Sequence, residues 1–236
     1  MKITIITPFP DIVESPIHES ILKQAQKKTD LTFQIINPRD FAEDKHKVID
    51  DYPYGGGFGM VLKPEPLFGA IEFALKEFNE KPKIIYPSPQ GKLFNQEIAK
   101  KLATEKNFVF ICGRYKGIDQ RVIDTFVDEE ISIGDYIISG GELASLVIID
   151  AIVRLQPGVL NHIESAETDT FSEDLFDAPY YTRPEVFRNM KVPDVLLSGH
   201  HKKIEEWRLA RRIEKTKRVR PDLYDRYCEK NKQNGG

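Results

Sequence analysis

The sequence predicts an α/β fold, a mainly parallel sheet with helices on both faces, followed by a smaller α-helical region. Three observations lead there. Over residues 1–154, apolar strand-like runs alternate with helical patterns, which is how strand–helix–strand units read. The run 108–112, F-V-F-I-C, is apolar at every position, as expected of a strand covered on both faces. Glycine-bearing turns follow several of these runs, and ligands of parallel sheets bind beyond the strands' carboxyl ends.

In order, residues 1–7 read as a β-branched strand, 11–28 as one helix after Pro10, and 31–37 as a second strand. Residues 38–63 lack periodicity and carry D-D-Y-P-Y-G-G-G-F-G-M; so long a loop in a compact domain is usually functional or disordered. A helix over 64–79 follows, with Pro64 and Pro66 near its start and Leu67, Ala70, Ile71, Ala74, Leu75 and Phe78 on one face. Residues 83–86 form a short strand running into P-S-P-Q-G, where the prolines and Gly91 force a turn. A helix over 95–104, the strand 108–112, a helical turn over 119–124, an extended run 126–133 and a strongly apolar helix 141–154 complete the alternation. Beyond Pro157, H-I-E-S-A-E-T-D-T-F-S-E-D-L-F-D is acidic and weakly patterned, which predicts a mobile linker or lid. From Pro184 the chain is helical in character, with Pro221 opening a last helix. The expected division is residues 1–160, a linker 161–176, and a helical, basic region 177–236.

Composition narrows the function classes. No apolar run approaches the roughly 18 residues of a membrane span, and residues 1–7 are too short, and too soon interrupted by Pro8 and Pro10, to be a signal peptide. The expected compartment is the cytoplasm. Cys112 and Cys228 are too few for a disulfide framework, and five histidines without metal-ligand spacing predict no zinc site. The net charge of −3 hides an asymmetry: residues 200–236 hold twelve Lys and Arg against six Asp and Glu, leaving 22 against 31 for the rest. Such a basic tail is either a solvated face or a surface for a polyanion.

Two stretches stand out as a binding crevice. C-G-R-Y-K-G-I-D (112–119) and S-I-G-D-Y-I-I-S-G-G-E (132–142) set glycines into turns, where main-chain groups approach a small ligand closely. Neither matches G-x-G-x-x-G or a P-loop, which disfavours the usual phosphate cradles.

These runs, with Y-G-G-G-F-G-M (54–60), S-P-Q-G (88–91), P-G-V-L (157–160), Y-T-R-P-E-V (181–186) and V-L-L-S-G-H-H, resemble in order the bacterial tRNA (guanine-N1)-methyltransferases, the TrmD family. The resemblance covers nearly the whole chain. It implies an enzyme of the SPOUT class that transfers a methyl group from S-adenosylmethionine to N1 of the guanosine at tRNA position 37, beside the anticodon. It further implies a homodimer with a shared active site, a deep trefoil knot forming the donor site, and a magnesium requirement. Carried over by position, Tyr86, Ser88, Pro89, Gly113, Arg114 and Tyr115 would hold the donor from one side. Ile133, Gly134, Tyr136, Ile137, Ile138, Gly140 and Gly141 would hold it from the other. Asp169 matches the family's catalytic aspartate and Arg154 its catalytic arginine. By composition alone, Asp169 is one acid in a solvated acidic run and Arg154 a helix C-terminal cation.

The tRNA would meet Gly55, Gly56, Gly57 and Gly59, and also Asp177, Arg183, Arg211 and Arg212 around the basic tail. Two positions depart from the pattern. Lys116 stands where R-Y-E-G has an acid, so no carboxylate is available there for charge balance or magnesium, and Ala144 stands where G-G-E-L-P has proline. A SPOUT enzyme with another RNA target and a non-catalytic RNA-binding module are the competing readings.

Overall fold

The computed structural model describes residues 1–160, 170–171 and 174–233, and the chain divides into two compact units, Met1–Asn161 and His162–Gly236. In the first, β1 (Lys2–Ile6), β2 (Thr32–Ile36), β5 (Lys83–Leu93), β6 (Asn107–Ile111) and β7 (Glu129–Ser132) form a five-stranded sheet in the order β2-β1-β6-β5-β7. Every pairing in it is parallel, so the carboxyl ends of β5, β6 and β7 lie along one edge. A short antiparallel pair, β3 (Asp50–Asp51) with β4 (Val61–Leu62), lies within the stretch that lacked periodicity.

Strand alternation sends neighbouring side chains to opposite faces, and both faces are covered. Ile3, Ile5, Ile85, Phe108 and Phe110 pack with α1 (Pro10–Ile17), α2 (Ser20–Lys28), α4 (Gln96–Leu102) and α6 (Gly141–Val153). Ile6, Ile84, Val109 and Ile111 pack on the other side with α3 (Pro64–Leu75) and α5 (Gln120–Phe126). The apolar helix α6 buries Ile148, Ile149, Ile152 and Val153 completely, each contributing roughly 1.5–3 kcal/mol through removal from water.

Three elements differ from the sequence reading. The helix expected over 11–28 is two helices: Pro16 can donate no hydrogen bond, and the turn closes through His18 N–H to the Ser15 carbonyl before Ser20 reverses at φ 49. The strand expected to stop at Tyr86 continues to Leu93. Pro87 and Lys92 both face Ile131 of β7, so residues 88–91 bulge out between them. Gly91 permits this, since a Cβ there would stand 2.4 Å from the Glu130 carbonyl carbon.

The third difference lies in the second unit. After Pro184 the chain forms a hairpin, β8 (Val186–Phe187) with β9 (Met190–Lys191), before the helices begin. Arg188 and Asn189 both have positive φ, 50° and 63°, the two-residue turn whose twist suits a hairpin. The helices are α7 (Asp194–Leu197), α8 (His201–Val219) and α9 (Pro221–Gln233). Residues 174–178 are fixed to α8 and α9. The Thr216 hydroxyl accepts from Phe176 N–H at 2.8 Å, and Arg212 Nε donates to the Phe176 carbonyl at 3.2 Å. The Asp174 carboxylate is paired with Lys230 and, more loosely, with Arg226, while Leu175 and Leu223 are buried. No helix among the described residues is long and apolar enough to cross a membrane.

Candidate active site

Beyond the carboxyl ends of β5, β6 and β7, the bulge 88–91 and the loops 112–119 and 133–141 enclose a cavity of about 430 Å³. The loops are tied together through main-chain groups. Gly141 N–H donates to the Gly113 carbonyl at 2.9 Å, Gly117 N–H to the Arg114 carbonyl at 2.8 Å, and Arg114 and Gly140 form an antiparallel bridge. Within the third loop, Ser132 Oγ accepts from Gly134 N–H at 3.2 Å.

Two glycines set the shape. A Cβ on Gly113 would lie 2.8 Å from the Tyr86 ring, and one on Gly141 would lie 3.0 Å from the Cys112 Cα. The chains cross this closely only because both side chains are absent. Tyr86 is a nearly buried wall, and burial, helped by Glu130 and opposed by the Ile118 backbone, pushes its phenol up to about 12. Cys112 lies behind Gly113 with its sulfur 3.3 Å from Ser145 Oγ. Burial first and Glu142 second push its thiol up, so it is not a nucleophile.

The donor-side positions Tyr86, Ser88, Pro89, Gly113, Arg114 and Tyr115 all line this cavity, and so do Ile133, Gly134, Tyr136, Ile137, Ile138, Gly140 and Gly141. The glycine loop is joined to the crevice. Lys116 N–H donates to the Met60 carbonyl at 3.0 Å, Leu62 N–H to the Gly117 carbonyl at 3.0 Å, and Asp119 N–H to the Leu62 carbonyl at 3.0 Å. Gly55, Gly56, Gly57 and Gly59 are exposed with positive φ, and nothing lies within 4 Å of a Cβ on the first three.

Arg154 is the half-buried C-cap of α6, its N–H on the Asp150 carbonyl. It is absent from the cavity lining, and its attraction counters the rise that burial imposes on the Asp150 carboxyl. Asp169 lies outside the described residues. In the second unit, Asp177 lines an open hollow of about 480 Å³ with Phe176, Tyr180 and Lys215. Arg183 is exposed beside its cis bond to Pro184, and Arg211 is exposed and paired with Glu214 at 2.7 Å. Arg212 faces the Phe176 carbonyl, so part of its hydrogen-bonding capacity is already committed to the fold.

A clamp behind the crevice went unread in the sequence. The Glu142 carboxylate, 1% exposed, accepts from Thr7 Oγ1 at 2.7 Å and Arg114 Nε at 3.2 Å, and its Oε2 lies 3.0 Å from Arg114 Nη2. The guanidinium also lies over the Phe9 ring, 4.3 Å from its centroid, and donates to the Ser139 carbonyl. Its one sequence signal is an acid in the first turn of a helix otherwise too apolar to face water.

Fold and site together define a doubly covered parallel α/β protein with a crevice of small-molecule size beyond the strand ends, its loops tied largely through main-chain groups. A family model described as tRNA (Guanine-1)-methyltransferase TrmD matches residues 1–226. The chain belongs to this family. A tRNA (guanine-N(1)-)-methyltransferase of Anoxybacillus flavithermus is 51% identical over 227 residues, covering 96% of this chain and 93% of its own length. The proteins of the same name from Shouchella clausii, 52% identical over 227 residues with 96% and 93% covered, and from Bacillus cereus, 51% over 225 residues with 95% and 92% covered, are similar to the same extent.

Proposed function

We propose that this protein transfers a methyl group from S-adenosylmethionine to N1 of guanosine in tRNA, at position 37 beside the anticodon. The observation that carries the reading is that the donor-side positions, spread over residues 86–141 in separate motifs, line one crevice. That crevice fits the donor chemically. Its volume suits a small molecule, its closest approaches are made by glycines, and its buried phenol is neutral. S-adenosylmethionine supplies a methyl group on a positively charged sulfur, open to attack by a nitrogen lone pair.

Guanine N1 carries a proton and becomes a good nucleophile only as that proton leaves. Asp169 is the general base in this reading. A carboxylate is a weak base beside so weak an acid, so the emerging negative charge must be stabilised; Arg154, which closes α6 away from the crevice of its own chain, does this near O6 through the shared site of the homodimer, with an effect of roughly 3 kcal/mol. The magnesium ion that the resemblance implies would share this stabilisation; among the described residues no group of three His, Cys, Asp or Glu side chains comes together, and an ion of this kind is commonly held by one or two carboxylates with waters. Position does the remainder: the crevice holds one partner, and the guanine, swung out of its stack, is brought in line with it.

The same reading includes a trefoil knot at the crevice, a cytoplasmic homodimer with a shared site, and tRNA held by the helical unit. The Gly113–Gly141 crossing supports the knot. Half-exposed Leu143 and Val147, one turn apart on α6, support a subunit interface. For tRNA, Arg208, Arg211, Lys215 and Arg218 form one basic stripe along α8 at helical spacing.

The deciding experiment is methyl transfer from labelled S-adenosylmethionine to two tRNA transcripts that differ only in guanosine or adenosine at position 37. Label on the guanosine transcript alone is expected. Label on both moves the target elsewhere in the RNA, and label on neither, with donor binding intact, leaves a binding module.

Two further outcomes follow from the geometry. Gly113→Ala drives a methyl group into Tyr86, an overpacking cost of roughly 1–3 kcal/mol. Calorimetry should show donor affinity reduced about tenfold or more, and unchanged affinity would remove the crevice as the donor site. Replacing Arg208 and Arg218 by Gln should lower the slope of log affinity for tRNA against log salt by about one for each phosphate that is no longer neutralised. An unaltered slope returns the stripe to solvent.

A further inference from the structure

Two cationic side chains line the crevice, and they are held differently. Arg114 is committed to Glu142, to Phe9 and to the Ser139 carbonyl. Lys116 is exposed and makes no ion pair among the described residues. Its base is fixed by the N–H bond to the Met60 carbonyl, and its aliphatic stem runs over Gly59, where a Cβ would stand 3.0 Å from Cγ and 3.3 Å from Cε. Gly59 has a φ of +98°, a conformation that other residues rarely adopt, so the lane for this stem is built into the backbone. The ammonium thus sits on a positioned arm at a cavity whose other lining groups are mostly apolar or main-chain, with Glu130 the one acidic side chain among them.

A sulfonium methyl donor of the kind proposed carries an amino-acid arm ending in a carboxylate. Glu130 repels that group, and Arg114 already has a carboxylate partner. We infer that Lys116 is a donor-selectivity residue, its ammonium binding the carboxylate of the methyl donor's amino-acid arm. This rests on the reading of the crevice as an S-adenosylmethionine site. A charge-assisted bond of this type at a partly exposed position is worth about a five- to tenfold change in affinity.

The test is calorimetric binding of S-adenosylmethionine and of its decarboxylated analogue to the full-length protein and to Lys116→Met, which keeps the stem over Gly59 and removes the charge. The unaltered protein is expected to prefer the carboxylate-bearing donor about tenfold. Lys116→Met should lose about five- to tenfold for S-adenosylmethionine while binding the analogue as well as before or better, and Lys116→Arg should restore the preference. Equal losses for both ligands would reduce Lys116 to packing and overturn the inference. So would no loss for either; a salt slope for tRNA lowered by about one in the same variant would then assign the ammonium to an RNA phosphate. If the unaltered protein binds neither ligand, the donor reading itself fails. If it binds both equally, that reading stands and only the role of Lys116 falls.

Discussion

Asp169→Ala is expected to slow methyl transfer by roughly 10²–10⁴-fold, the range for removal of a positioned general base, while S-adenosylmethionine affinity stays within about twofold. The two halves of this result come from different parts of the molecule. The described walls of the crevice are β5, the loop after β6 and the loop before α6, all tied by main-chain bonds. Deprotonation of guanine N1, by contrast, has no other acceptor in the proposed chemistry. Single-turnover rates with saturating tRNA, set beside donor calorimetry, separate the two. A large fall in donor affinity would take Asp169 out of the base role, and an unchanged rate would require another base. Arg154 supplies an internal comparison, since stabilisation of the developing anion near O6 is a separate contribution. If the two residues act on one transition state, Asp169→Ala combined with Arg154→Ala should be much less damaging than the product of the single losses.

The second large effect is on the fold. Glu142→Ala should destabilise the protein by about 3–5 kcal/mol, because it leaves the Arg114 guanidinium largely buried with its main partner gone. The guanidinium is 13% exposed and Glu142 1%, so solvent relieves little of that cost. Thr7 Oγ1 loses its acceptor as well. Urea unfolding monitored by circular dichroism measures the loss directly. Arg114→Ala combined with Glu142→Ala should cost clearly less than the sum of the single changes, since the double variant leaves no unpaired charge. Strict additivity would mean that the clamp is not an energetic unit. Donor affinity should fall in Glu142→Ala too, as the Arg114 guanidinium loses its anchor and with it the hold on the Ser139 carbonyl.

Much of this architecture was legible in the residues because it repeats locally. The run 108–112 is apolar at every position and the helix at 141–153 is largely so, and only burial on both faces or deep in a core tolerates that. The glycines of 112–119 and 132–142 mark close approaches of main chain, and they do converge on one crevice. What was not legible has a common physical cause: it depends on partners distant in sequence. Arg114 and Glu142 are separated by 28 residues, and Thr7 and Glu142 by 135, so no local period links them. The bulge at 88–91 needs β7 as its reference. The hairpin at 186–191 has two-residue strands and an Arg-Asn turn without glycine, too short and too atypical to be distinguished from the helical stretch beside it. Pro16 was a visible signal for the break between α1 and α2, and the amphipathic pattern on either side obscured it. Arg212 reads as one more basic residue of the tail, and only the fold places its guanidinium on the Phe176 carbonyl.

The Thr7–Glu142 bond also has a consequence in time. Thr7 follows β1 and Glu142 opens α6, so the clamp joins nearly the two ends of the first unit. A ribosome must release almost all of that unit before the clamp can close, and pairings this far apart in sequence are the slow ones to form. A nascent chain stopped at the end of β7 would carry β5, β6 and β7 and still lack the walls at Gly140 and Gly141. Donor binding should therefore arrive as a single late event during synthesis, with no weak precursor on shorter chains.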